Sequence, residues 1–416
     1  MLRHAPLAAT LLAAAACTTG PATPPLPADW APVFAPAAIE TPDGSSEPQI
    51  TTAPGGMVLS WIEGQEGPAT IRFAERGADG WSAPRAVRTG DGWFRSYADM
   101  PAVYRLSTGT LVATWLPATE PLIEAYDIAV TRSEDDGATW SVPFAPHADG
   151  TLTQHGFVSL VERPEGGVEL VWLDGRQQEQ DVESPDGGAM SLRYAAFDET
   201  WTQTAGALVD GRVCECCPTA LGRTDRGLVA AFRDRSPSEV RDIATARMQD
   251  GQWTGATPVA IDGWTLDACP VNGPALDTAG LRVVVSWFTA ATGTGESYLA
   301  FSEDGGATFG TPVRLDAGSS LGRTGVALLP DGSAAAAWLE YVDRRAQLRV
   351  RRVAANGTTG PAVILSGTGD DFPSAYPRLA RDGDALVVAW TETTPPGPDD
   401  DGFPQIRVRV AEAPIR

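Results

Sequence analysis

Three of the five cysteines in this 416-residue chain fall within Val213-Cys214-Glu215-Cys216-Cys217-Pro218. A fourth, Cys269, again precedes a proline. Thiols at this density can pair as disulfides, hold a soft metal ion or form a reactive centre. Only two histidines, His147 and His155, lie beyond the first few residues. All 31 basic residues are arginine, which excludes Schiff-base and lysine general-base chemistry. A formal charge of −22 argues against a nucleic-acid partner, because phosphate binding needs a basic footprint.

The fifth cysteine, Cys17, ends the leader MLRHAPLAATLLAAAAC. One early arginine followed by a short run of small apolar residues reads as an export signal, too short to span a bilayer. Three alanines before Cys17 resemble a bacterial lipobox. The expected organisation is a lipoprotein-type signal peptide over 1–17 with Cys17 as lipidation site, a Pro-rich tether over 18–29 and a folded domain over 30–416. The protein is expected to be an exported, monomeric bacterial lipoprotein on the periplasmic side of a membrane or at the cell surface. It would touch the membrane only through this anchor. Thr18, rather than Asp, after the lipid site points to the outer membrane. In that compartment the remaining four cysteines read first as structural disulfides, with connectivity open.

What must position these residues is a repeat. A short apolar segment, a Gly-containing turn and a β-rich segment ending in an aromatic recur along the chain. The aromatics are Trp61, Trp115, Trp172, Phe232, Trp287, Trp338 and Trp390, spaced 51 to 60 residues apart. Two further alternating segments complete most units. Four short strands per period indicate an all-β propeller of seven four-stranded blades, with six as the alternative. The seventh unit lacks its fourth strand, and DWAPVFAPAAIE near the N-terminus has the pattern to supply it.

Two turns carry a sharper motif. Ser133, Asp135, Gly137 and Trp140 in SEDDGATW match Ser302, Asp304, Gly306 and Phe309 in SEDGGATF. Both resemble the Asp box of the sialidase-like, BNR-repeat propellers. The Asp can accept backbone N–H groups, the Gly permits positive φ and the aromatic packs between blades. The resemblance extends over residues 30–416 and implies structural Asp boxes, on the face away from a sialidase active site.

It also implies an alternative function: exo-glycoside hydrolysis of terminal sialic acid or a related sugar. Such chemistry needs an arginine clamp for the substrate carboxylate and an acid/nucleophile pair. The candidates are Asp99, Asp174, Asp234, Arg95, Arg233 and Tyr376. The Arg-Ile-Pro-like element of known sialidases is missing from the first inner strand, which reads SEPQITT. The favoured reading is therefore a tethered propeller that binds a glycan, a protein or a metal on its channel face. Aligning the repeats places Cys217 and Cys269 at similar points in units four and five, with Met100 and His155 at the matching points of units two and three. Cys214, Cys216, Cys217, Cys269, His155 and Met100 would together form a soft ligand set for copper or zinc, the alternative to disulfides.

Overall fold

Seven antiparallel blades follow one another along the chain, which settles the blade number. In this computed structural model, residues 31–65, 67–120, 125–180, 188–368, 376–394 and 405–415 are described. The leader, Cys17 and the tether lie outside them.

The inner strands of blades 1 to 7 are Ser45–Ala53, Ala102–Arg105, His155–Glu162, Ala220–Thr224, Ala275–Ala279, Ser320–Leu328 and Arg378–Asp382. Each pairs with a second strand that carries the recurring aromatic. All seven aromatics are at most 7% exposed, and burying each contributes roughly 2–3 kcal/mol. Three of the buried indole N–H groups donate to a carboxylate two residues on. Trp61 reaches Glu63 at 3.1 Å, Trp172 reaches Asp174 at 2.8 Å and Trp338 reaches Glu340 at 2.9 Å.

Blade 2 departs from the four-stranded pattern: its outer position is a single bridge between Val130 and Phe144. A small hairpin, Ala118–Glu120 with Ala125–Tyr126, projects from the same blade. Blade 7 is completed by Ala35–Pro36, which pairs antiparallel with Glu412 and Ala411, so the N-terminal segment closes the ring as its pattern requires.

Both Asp boxes form the expected turn. In the first, Asp135 Oδ1 accepts the Ser133 hydroxyl at 2.7 Å and the Thr139 N–H at 2.8 Å, while Oδ2 accepts the Thr139 hydroxyl at 2.6 Å. Gly137 has φ 84°, and a Cβ there would strike the Phe73 ring. Trp140 meets Phe73 edge-on at 6.0 Å, joining blades 1 and 2. Asp304 repeats the same bonds with Ser302 and Thr308.

Candidate functional site

The axial cavity, about 1500 Å³, is lined by inner-strand residues of all seven blades, among them Gln49, Tyr104, Ser159, Leu221, Asp277, Thr324 and Arg378. None of the four propeller cysteines lines it. Toward the start of the inner strands, Met100, Phe157 and Tyr376 join one buried apolar cluster. They come from blades 2, 3 and 7, so they meet across the centre. The buried Tyr376 hydroxyl donates to the Val271 carbonyl and accepts the Gly273 N–H at 3.2 Å, tying blade 7 to the approach of blade 5. The metal ligands expected along one arc of the channel mouth are thus divided among three places.

Met100 lies in this apolar cluster, which plugs the centre of the ring, with Arg378 donating to its sulfur at 3.4 Å. His155 lies in a separate His/Asp cluster between blades 2 and 3. The reason is local. The inner strand of blade 3 has a register shift between Gly156 and Ser159, with Phe157 at φ 53°. A bulge of this kind re-aims the side chains around it.

The cysteines form the third place. Cys214 Sγ lies 3.3 Å from Cys217 Sγ and 3.8 Å from Cys216 Sγ, and Cys269 borders Cys216. A disulfide bond is about 2.05 Å long, so the expected disulfides do not form here and all four are thiols. Cys214 and Cys217 are buried, Cys216 is half-buried and Cys269 is exposed, which leaves one side of the cluster toward solvent.

Arginines surround these thiols. The buried Arg241 guanidinium donates to Cys214 Sγ at 3.2 Å, to Glu215 at 3.3 Å and to Glu239 at 2.8 Å. Arg235 and Arg212 also pair with Glu239. The Asn272 N–H donates to Cys217 Sγ at 3.4 Å. Hydrogen bonds from the Cys216 and Cys217 thiols, opposed by burial and aided by the Arg233 charge, hold Cys214 well below an ordinary thiol pKa. The same contacts push Cys216 up.

The six expected catalytic residues do not share one site, although Arg95 and Asp99 both flank Glu47. Arg233 is buried and donates to the carbonyls of Asn272, Arg241 and Phe288, so it has no free fork for a substrate carboxylate. Asp174 is fully buried as the partner of Trp172 and Arg176. Glu63 and Glu340 take the equivalent place in their own blades, so Asp174 belongs to the repeat. Asp234 flanks the cysteine loop, its pKa raised to about 6 by burial, then by Asp210 and Asp242. Arg95 donates to the Gly64 carbonyl at 2.8 Å. Tyr376 is in the plug.

Asp99 is buried, accepts the Phe157 N–H at 2.6 Å and is raised to about 7, mainly by desolvation. Its neighbour Glu47 stands at φ 56° in the first inner strand. Burial raises Glu47 to about 8, against the Arg95 charge and with that of Asp99.

Arg241, Glu239, Asp127, Asp149 and His147 were not read from the sequence as site residues. HADGTLTQH, with both histidines around an Asp, was the only local signal for the last two.

Comparison with known proteins bears on the fold. The profile of the BNR repeat-like domain matches residues 63–388. A search of curated protein sequences finds no match. Among solved structures, the polysaccharide lyase Uly1 superposes with TM-score 0.52 at 9% identity, covering 89% of this chain and 90% of its own. A protein of unknown function from Dyadobacter fermentans gives 0.49 at 15% identity, covering 91% and 98%. NanB sialidase from Streptococcus pneumoniae gives 0.44 at 11%, covering 86% and 83%. At these identities the likeness is one of fold.

Proposed function

Since the chain belongs to the BNR repeat-like domain family of sialidase-like propellers, we propose that it uses this scaffold as an exported, lipid-anchored binding module whose thiol cluster holds a soft metal ion. The observation that carries this reading is the Cys214, Cys216 and Cys217 triplet, whose sulfurs all lie within 4.8 Å of one another. Zinc–thiolate bonds of about 2.3 Å set tetrahedral ligand sulfurs about 3.8 Å apart, close to the 3.3 and 3.8 Å found. Soft thiolates suit Cu(I) or Zn(II). Arg241 supplies the N–H···S contact that stabilises thiolate charge, and Cys269 stands at the solvent side as a fourth ligand or an entry gate. A bound cation would also protect neighbouring thiols from oxidation in an exported compartment.

The test is metal content and free thiols measured together on the purified protein. One equivalent of copper or zinc, with four thiols besides Cys17 released by chelation, is expected. A metal-free protein without free thiols would overturn the reading.

The second reading is glycoside hydrolysis at the centre of the ring. It is favoured by one observation, the adjacent carboxyls Glu47 and Asp99, both raised toward neutral pH beside Arg95. A fluorogenic sialoside turned over by wild type and not by Glu47→Gln would establish it.

A further inference from the structure

The axial cavity has a floor and a mouth. At one end it stops at the plug, since neither Met100, Phe157 nor Tyr376 lines it. At the other end its wall includes Gly55, Pro330, Gly383 and the Asp-box residue Glu303, so it opens on the Asp-box face. The thiol cluster, Glu47 and Asp99 all lie outside this lining.

Arg378 stands on the floor. Its guanidinium donates to the Met100 sulfur at 3.4 Å and lies 5.6 Å from the centroid of the Tyr376 ring, so it touches the plug while lining the cavity. A guanidinium carries five N–H donors, and a thioether is a weak acceptor. Among the described residues Arg378 makes no ion pair, and its buried Nε has no hydrogen-bond partner. Burial pulls its pKa down to about 10, so it stays charged at neutral pH. The carboxylate that acts on it through space, Asp99, is itself raised to about 7 by burial.

Strand register shows what surrounds this charge. Arg378 pairs with Ala389, the residue before the recurring Trp390. The same height is held by Gln49 in blade 1 and Gly325 in blade 6. Elsewhere it is held by Ala102, Ser159, Ala220 and Ala275, which are small and leave room opposite the guanidinium. Arg378 is thus the single charged residue of the seven. Blades 6 and 7 run close here, because a Cβ on Gly325 would lie 3.1 Å from the Pro377 carbonyl oxygen and 3.3 Å from Leu379 Cβ. The next residue, Thr324, is buried and lines the cavity, and its hydroxyl has no partner. On the other flank, Gln49 Oε1 accepts the Ile50 N–H at 3.1 Å, which leaves the amide NH2 for the cavity.

From this arrangement we propose that the cavity binds a small organic carboxylate, gripped at the floor by Arg378 with help from Thr324 and Gln49, its body extending toward the Asp-box mouth. A guanidinium fork matches a carboxylate in shape and charge. A buried cation without a counter-ion is costly, and a bound anion removes that cost. A dianion fits less well, because carboxylates line the outer part. Asp277 accepts the Leu328 N–H at 2.7 Å, Glu162 accepts the Ser107 N–H at 2.9 Å, Glu303 pairs with Arg282 at 3.1 Å and Asp382 pairs with Arg76. Each is engaged locally, and together they repel a second negative charge at the entrance. The site rests on neither reading given above, since it shares no residue with the thiol cluster or with Glu47 and Asp99.

The experiment titrates the full chain separately with carboxyl-13C acetate, carboxyl-13C gluconate and inorganic phosphate, followed by 13C and 31P NMR. Acetate should bind saturably with a dissociation constant on the order of 1 mM, and gluconate more tightly, since it fills more of the cavity. Phosphate should bind more weakly than either. Arg378→Gln should weaken both carboxylates at least about 10-fold, and Thr324→Val a few-fold. Without ligand, the urea midpoint of Arg378→Gln should equal or exceed that of wild type, because a buried charge without a counter-ion is gone. A purely structural arginine would lower it. If Arg378→Gln does not fold, the double variant Gln49→Ala with Thr324→Val carries the test and should lose carboxylate affinity about 10-fold. Absence of saturable carboxylate binding, affinity unchanged in the variants, or tighter binding of phosphate would overturn the proposal.

Discussion

The Arg241 guanidinium donates to the sulfur of Cys214 at 3.2 Å, and both groups are buried. A full charge in that position favours the thiolate, which is the nucleophilic and metal-binding form. Arg241→Gln should therefore shift the pH at which Cys214 is alkylated upward and slow its reaction at neutral pH several-fold. Arg241→Lys should keep most of the effect. Mass-spectrometric alkylation profiles across pH check this, and an unchanged profile in Arg241→Gln would count against it.

Glu47 and Asp99 make stability depend on pH in an unusual direction. Their folded-state pKa values are raised, to about 8 and about 7, above the ordinary carboxylate range. At these two sites the folded protein keeps protons that the unfolded chain releases, so their contribution to stability is greatest at low pH and is lost as pH rises through the raised values, opposite in sign to lowered carboxylates such as Glu75 and Glu412. A loss on the order of a few kcal/mol between about pH 5 and pH 8 is expected from these two groups. Urea midpoints should show the decline, and it should flatten in Glu47→Gln and Asp99→Asn.

Asp174 serves the fold. Removing its carboxylate in Asp174→Ala takes the acceptor from the buried Trp172 indole N–H and leaves Arg176 to Asp149, at a cost of about 1–3 kcal/mol. Glu63→Ala and Glu340→Ala should also destabilise, through the same indole contact in blades 1 and 6. Thermal melting of the three variants tests this. A melting temperature for Asp174→Ala equal to wild type would refute it.

The Asp boxes are expected to be structural and silent in binding. Asp135→Ala removes the acceptor of three hydrogen bonds that hold the turn and should lower the urea midpoint. The metal content of that variant should match wild type.

The ring was legible in the sequence because its strongest signal, a buried aromatic once per blade, survives without any knowledge of contacts. Asp boxes and the N-terminal closing strand were legible for the same reason: each is a local pattern. The sites were not. Equivalent positions in neighbouring repeats suggested that Met100, His155, Cys217 and Cys269 share one rim. The bulge at Phe157 and the plug around Tyr376 place these side chains in different surroundings. Arg233 looked free in FRDRS because sequence does not show the three carbonyls that fold back onto it. Asp127 and Asp149 lie in connections between strands, where spacing carries no periodic signal.

The seam of the ring has a consequence for biosynthesis. Ala35 and Pro36 pair with Glu412 and Ala411, so the first strand made waits for almost the last. During translation the N-terminal segment has no partner, and six blades can assemble beside it before the seventh is joined. Its pairing segment is only two residues long, exposed, and contains a proline that cannot donate to a ladder. Those properties make it a poor template for a neighbouring nascent chain. Latching is thereby reserved for the chain's own final strand, and the time spent as an open arc becomes the interval in which folding is most open to error.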